Sequence, residues 1–212
     1  MDKREDFYNS YFQGFKTLFP ELTREEFLSY YDEDQYLGYP DLENSGGGVW
    51  TSEGISIYVL IRILKPKNII ELGNFVGISS NHILSAVEKN QFGNVTLLDK
   101  NEFLDYDKIH NRNFIRIIAN SLDYLNNSFD YDLIIQDSDH SYSVTKKEIE
   151  IILDNNISKN YYIWSHNYFT PISANINVYD ALNDMKINFY KFEMFKDSIS
   201  DCGFSIANIN KL

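Results

Sequence analysis

The apolar positions of this chain change period partway along it. From 7 to 19 they recur every three or four residues, as Tyr8, Tyr11, Phe12, Phe15, Leu18 and Phe19, which places them on one face of a helix that Pro20 stops. A second helix is predicted from Thr23, which forms a capping box with Glu26 ahead of Phe27, Leu28 and Tyr31. Residues 38–48, Gly-Tyr-Pro-Asp-Leu-Glu-Asn-Ser-Gly-Gly-Gly, are rich in breakers and read as a loop with the freedom of a hinge. Helical spacing returns from Ser52 to Leu64 through Ile55, Tyr58, Val59, Ile61 and Leu64.

From residue 68 onward, short apolar runs alternate with amphipathic segments. Strands are predicted at 68–72, 94–98, 114–118, 131–136 and 160–164, with helices at 78–88, near 103–110, at 121–126 and at 143–154. Such alternation builds a doubly wound α/β fold, a mostly parallel sheet with helices on both faces. The tail departs from it: a helix at 177–185 precedes strand-like runs at 187–195 and 203–209, joined by a turn region that includes Asp201 and Gly203. Seven strands are therefore expected. A chain of 212 residues suffices for one full core. The organisation predicted is an aromatic-rich helical extension and glycine hinge over 1–48, followed by a Rossmann-like domain over 49–212. The extension is read as cover for one edge of the core; walling a substrate pocket and pairing two subunits of a homo-oligomer are the other roles its aromatic stripe allows.

Charge narrows the partners. A formal net charge of −12 opposes attraction to phosphate backbones, so nucleic acid is a poor substrate. The basic cluster Arg62, Lys65 and Lys67 reads as a solvated helix end. The single Cys202 cannot form an internal disulfide, and no stretch is long and apolar enough to span a bilayer. The start, Met1 to Asp6, is charged and does not resemble a signal peptide, so a cytoplasmic protein is expected.

Ligands of an open parallel sheet bind beyond the carboxyl ends of its strands. At the first such end the chain reads Glu71-Leu72-Gly73-Asn74-Phe75-Val76-Gly77-Ile78-Ser79. Gly73 permits a sharp bend and close approach to a ligand, and Gly77 lets the next helix pack against the strand. The spacing lacks the middle glycine that a pyrophosphate requires and suits a nucleoside without one. Asp99, ending the second strand, stands where a carboxylate can accept from both hydroxyls of a ribose. The next ends carry Ala119-Asn120-Ser121, Asp137-Ser138-Asp139-His140 and Ser165-His166-Asn167.

The glycine turn resembles the first motif, Glu-x-Gly-x-x-x-Gly, of class I methyltransferases dependent on S-adenosylmethionine, and Ala119-Asn120-Ser121 resembles their adenine-contacting Gly-Asp-Ser segment. More specifically, Tyr131-Asp132-Leu133-Ile134-Ile135-Gln136-Asp137-Ser138-Asp139-His140-Ser141-Tyr142 resembles the Phe-Asp-Leu-x-x-x-Asp-x-x-His-x-Tyr segment of the methyltransferase family that includes the macrolide-sugar O-methyltransferases, the cephalosporin-hydroxylase-like enzymes and the rhamnosyl O-methyltransferases. The resemblance covers roughly Glu53 to Tyr168. It implies an antiparallel strand pair at the end of the sheet and O-methyl transfer to a hydroxyl of a small polyol, such as a sugar unit of a glycan or glycosylated metabolite. It also implies a cofactor site formed by Glu71, Gly73, Asn74, Gly77, Ser79, Asp99, Asn120 and Ser121.

Methyl transfer to a hydroxyl requires a held oxygen and a means of removing its proton, and His140, beside Asp137, is placed to be the base. A hard cation such as Mg²⁺ could assist, with Asp137, His166 and Asn167 as its ligands by resemblance. This chain departs from the family in having Asn167 where aspartate is usual, and Ile157-Ser158-Lys159-Asn160 where a glycine pair is usual. Each residue also has a structural alternative: Asp139 or Ser141 as a helix cap, His140 as a buried bonded histidine, Asp137 as an acceptor of backbone amides. Polar residues at successive strand ends favour the functional reading, whereas His82 and His110 are read as surface residues. Two rivals remain: a Mg²⁺-dependent enzyme with a planar catechol acceptor, and a non-catalytic adenosyl-ligand binder or assembly protein of the same fold.

Overall fold

In the computed structural model of the chain, residues 3–35, 49, 51–102, 109, 113–168, 178–193 and 202–211 are described. Two aromatic helices lead, α1 (Lys3–Leu18) and α2 (Arg24–Gln35). The Thr23 hydroxyl accepts from the Glu26 amide at 3.1 Å, as the capping box requires. After α3 (Thr51–Leu64) come β1 (Asn68–Leu72), α4 (Ile78–Asn90), β2 (Asn94–Asp99), β3 (Ile115–Ile118), α5 (Ser121–Leu125), β4 (Leu133–Gln136), α6 (Tyr142–Asn155) and β5 (Asn160–Tyr168). The chain then adds α7 (Val178–Asp184), β6 (Phe189–Glu193) and β7 (Cys202–Asn210). The glycine-rich hinge and the short helix expected near 103–110 lie outside the described residues, apart from Val49 beyond the hinge and Ile109.

The seven strands form one sheet in the order β3-β2-β1-β4-β5-β7-β6. Strands β1 to β5 pair in parallel, and β7 runs antiparallel to both β5 and β6. This is the doubly wound sheet with an antiparallel end that the sequence pattern and the resemblance predict. Strand alternation divides the core. Ile69, Leu133, Ile135, Trp164, Phe204 and Ile206 face the layer of α1 to α4, while Ile70, Leu72, Ile134, Tyr161 and Ile163 face the layer containing Leu125 of α5 and Ile152 of α6. Tyr11, Phe15 and Phe27 of the N-terminal helices share the first cluster, and Phe15 lies 5.4 Å from Phe192 between ring centroids.

Three expectations change. β5 runs on to Tyr168, past the predicted end at 164, because nine successive residues pair with β7 from Asn160 opposite Asn210 to Tyr168 opposite Cys202. His166 and Asn167 therefore sit within a strand instead of after one. Helix α3 is buried on all sides from Glu53 to Ile61, since it is packed between α2 and α4, so Ile57 and Leu60 join the core as well. The same packing corrects the reading of His82, which is 2% exposed with its ring against Gly54. His110 lies outside the described residues.

Candidate functional site

A cleft of about 240 Å³ opens beyond the carboxyl ends of β1, β2 and β4. Its lining includes Gly73, Asn74, Phe75, Ser79, Asp99, Lys100, Asp137, Ser138, His140 and His166. The volume suits part of a small molecule.

The floor begins where β1 ends. Gly73 has φ +86, and a β-carbon there would lie 2.4 Å from the Asp137 carbonyl oxygen and 2.5 Å from Ser138 Cα. Glycine is thus demanded by the neighbouring β4 turn as much as by a ligand. Gly77, left-handed at φ 92, is the N-cap of α4 and makes no side-chain cap bond. Between them, Asn74 is 3% exposed, and among the described residues neither Oδ1 nor Nδ2 has a hydrogen-bond partner. A buried amide left unpaired is costly, and a ligand in the cleft would supply what it lacks. Asp99 accepts from the Phe75 amide at 2.9 Å and the Asn101 amide at 2.8 Å, which ties the β2 end to the glycine turn.

Four of the predicted cofactor residues stand outside the lining: Gly77, the cap of α4, and Glu71, Asn120 and Ser121. Glu71 is fully buried under the turn, bonded to Ser80 and Ser79 of α4, and burial pushes its carboxyl up to about 8. Asn120 caps α5 through the Leu122 amide at 3.0 Å. Ser121 donates to Glu148, which also accepts from Ser138 and Gln136; burial raises the Glu148 carboxyl above the usual range against these donors. That cluster braces the back of the β4 turn.

In the same lining, Asp137, His140 and His166 place ligand-type atoms within 4.8 Å of one another. His166 Nδ1 is 2.8 Å and His140 Nε2 3.6 Å from Asp137 Oδ1. The two rings lie edge to face at 5.0 Å. Behind His166, Glu53 Oε2 is 3.1 Å from its Nε2, and both side chains are essentially inaccessible. Burial lowers the His140 imidazole, with Asp137 opposing. Burial also acts downward on His166, but Asp137 and Glu53 outweigh it and hold the ring well above its usual value.

Register explains why these groups meet. Trp164 and His166 alternate onto the α3 face of β5, and Glu53 and Ser56 lie one helical turn apart above them. Ser56 accepts from the Trp164 indole at 3.0 Å as Glu53 approaches His166. Glu53 is the residue that sequence reasoning missed. An acid in a helix's first turn ordinarily complements the dipole, and the available signal was that α3 carries only Glu53 and Arg62 as charges in an otherwise apolar segment. The side chain of Asn167, the third expected metal ligand, lies outside what is described. The donors among the described residues, two imidazoles and one carboxylate, do not fit Mg²⁺, which takes oxygen ligands in near-octahedral array.

No family model and no curated protein matches the sequence. Solved structures match the fold. An O-methyltransferase from Bacillus cereus in complex with SAH is similar with a TM-score of 0.60 at 14% identity, over 91% of this chain and 94% of that one. TomG from Streptomyces achromogenes, an O-methyltransferase involved in tomaymycin synthesis and solved with SAM, gives 0.59 at 15% over 99% and 100%. The SAH-bound methyltransferase PaMTH1 of Podospora anserina gives 0.54 at 14% over 88% of each chain. The likeness at these identities is one of fold.

Proposed function

We propose that this chain is an S-adenosylmethionine-dependent O-methyltransferase acting on a hydroxyl of a small molecule. The observation that carries the reading is the cleft itself, where the glycine turn with its Asn74 amide, which has no hydrogen-bond partner among the described residues, and the Asp99 carboxylate line one small cavity together with the Asp137, His140 and His166 trio. Neighbours of the same fold are solved with SAM or SAH, which supports the choice of cofactor. Asn74 and Asp99 would bind the cofactor, with Asp99 toward the ribose and Gly73 keeping that wall open.

The cofactor supplies an electrophilic methyl on sulfur. Transfer would form an O–C bond as the S–C bond breaks, with the hydroxyl proton passing to the His140 imidazole, and would leave SAH and a methyl ether. In-line transfer gains from holding the oxygen in place, and proton removal belongs to the trio. His140, 22% exposed and set against Asp137, is the member open to a substrate, and as a base it would contribute roughly 10²- to 10⁴-fold. Glu71, Asn120 and Ser121 would act indirectly, by bracing the turns.

For the acceptor we propose a polyol, such as a sugar unit. The family resemblance supports this choice; a catechol acceptor fits the fold neighbours equally well. Calorimetric titration with SAH, using NAD as the control, tests the cofactor: micromolar one-to-one binding of SAH alone is expected, and its absence would overturn the reading in favour of a non-catalytic protein. Transfer of labelled methyl from SAM to a panel of free sugars, glycosides and catechols then decides the acceptor class.

A further inference from the structure

The resemblance leads to Mg²⁺, and the donors lead elsewhere. Asp137 Oδ1 stands 2.8 Å from His166 Nδ1 and 3.6 Å from His140 Nε2. Neighbouring ligands on one transition ion, each about 2.1 Å from it, lie roughly 3 to 3.5 Å apart; the two edges to Asp137 are near that spacing, and with all three ligand atoms within 4.8 Å of one another the two imidazoles need only a small side-chain rotation to share an ion. Two imidazoles with one carboxylate form the borderline set that favours first-row transition ions, whereas Mg²⁺ keeps water and oxygen ligands.

Glu53 is the second, independent observation. Ligating histidines almost always have a carboxylate or carbonyl behind the far ring nitrogen, fixing the tautomer so that the near lone pair meets the ion. Glu53 stands 3.1 Å from His166 Nε2, on the side of the ring away from Asp137, with a side chain 0% exposed.

We propose that Asp137, His140 and His166 form a site selective for a first-row transition ion of the Zn²⁺ or Fe²⁺ class over Mg²⁺, with Glu53 as the positioning residue behind His166. The inference stands on the donor set and does not depend on methyl transfer. A bound ion would supply Lewis acidity to a hydroxyl in the cleft. His140 is then a ligand in the ion-bound protein and a base only in the ion-free one.

The test uses the full chain, stripped with a chelator and titrated with Co²⁺, Zn²⁺ and Mg²⁺, with visible Co²⁺ absorption and bound metal per chain as readouts. One Co²⁺ per chain is expected, displaced by Zn²⁺ and left in place by excess Mg²⁺. Glu53→Gln should weaken Co²⁺ binding by about 10- to 100-fold and alter its spectrum; His140→Ala, at a partly exposed position, should weaken it further in a folded protein. No stoichiometric Co²⁺ or Zn²⁺, equal competition by Mg²⁺, or binding indifferent to His140→Ala and Glu53→Gln would overturn the proposal. SAH affinity measured on the same samples keeps the two readings apart: intact SAH binding without an ion removes only this inference, and an ion without SAH binding removes only the methyltransferase reading.

Discussion

A β-carbon at residue 73 has nowhere to go, with the Asp137 carbonyl oxygen 2.4 Å from its ideal position and φ at +86. Gly73→Ala should therefore cost roughly 1–3 kcal/mol for the left-handed backbone alone, and it should also push the β4 turn that carries Asp137 and Ser138. The expected result is a lower urea midpoint together with weaker SAH binding; a stable variant with unchanged affinity would show that the turn has slack. Directly beneath, Glu71 predicts an unusual pH dependence. Its carboxyl is raised by burial to about 8 from 4.5. Below the unfolded value both states hold the proton and stability is complete; as pH rises toward 8 the unfolded chain releases a proton that the folded one retains, so stability falls across that window. Glu71→Gln should abolish this slope, and its advantage over the parent in urea midpoint should grow from pH 5 to pH 8. Parallel curves would place the carboxyl's titration in its ordinary range.

At the scale of elements, α3 and α4 meet unusually closely, for a β-carbon on Gly54 would fall 2.2 Å from His82 Nε2. Gly54→Ala should destabilise by about 1–3 kcal/mol through overpacking, and His82→Ala should relieve a large part of that cost in a double-mutant cycle. Additive effects would mean that the helices separate freely. This contact also marks where reading the sequence stopped. Periodicity located β1, α4 and β2 to within a residue or two because each has one face or both faces committed to the sheet, and the polar residues after β1, β2 and β4 were legible because topology puts ligands there. The end of β5 was not legible: its extension depends on β7, some forty residues later, and strand pairing across that distance leaves no local mark at His166. His82 and Glu53 were misread or missed for a related reason. A polar residue on a helix looks solvated until a second helix or a strand covers it. Asn120 and Ser121 show the converse, since a cap and a bracing hydroxyl use the same residue types as a ligand contact.

The molecule as a whole carries 31 acidic against 19 basic residues, and Asp99, Asp137 and Glu53 concentrate that imbalance at the cleft and behind it. Such a field attracts cations and repels polyanions, with a reach of about 8–10 Å at physiological salt. S-adenosylmethionine has a sulfonium and a net positive charge, whereas its product lacks the sulfonium and is a neutral zwitterion. If the chain acts as proposed, the field should therefore favour SAM over SAH, and ionic strength should erode the preference. Raising salt from about 20 mM to about 500 mM, which contracts the Debye length from roughly 20 Å to roughly 4 Å, should weaken SAM binding several-fold while leaving SAH nearly unchanged. The drop should appear mainly in the SAM association rate, because steering acts before contact. Lys100 at the rim opposes the effect, so Lys100→Gln should enlarge the salt dependence for SAM and barely move SAH. Equal salt sensitivity of the two ligands would mean that the cleft's acids are compensated locally and that the charge of −12 acts only on solubility.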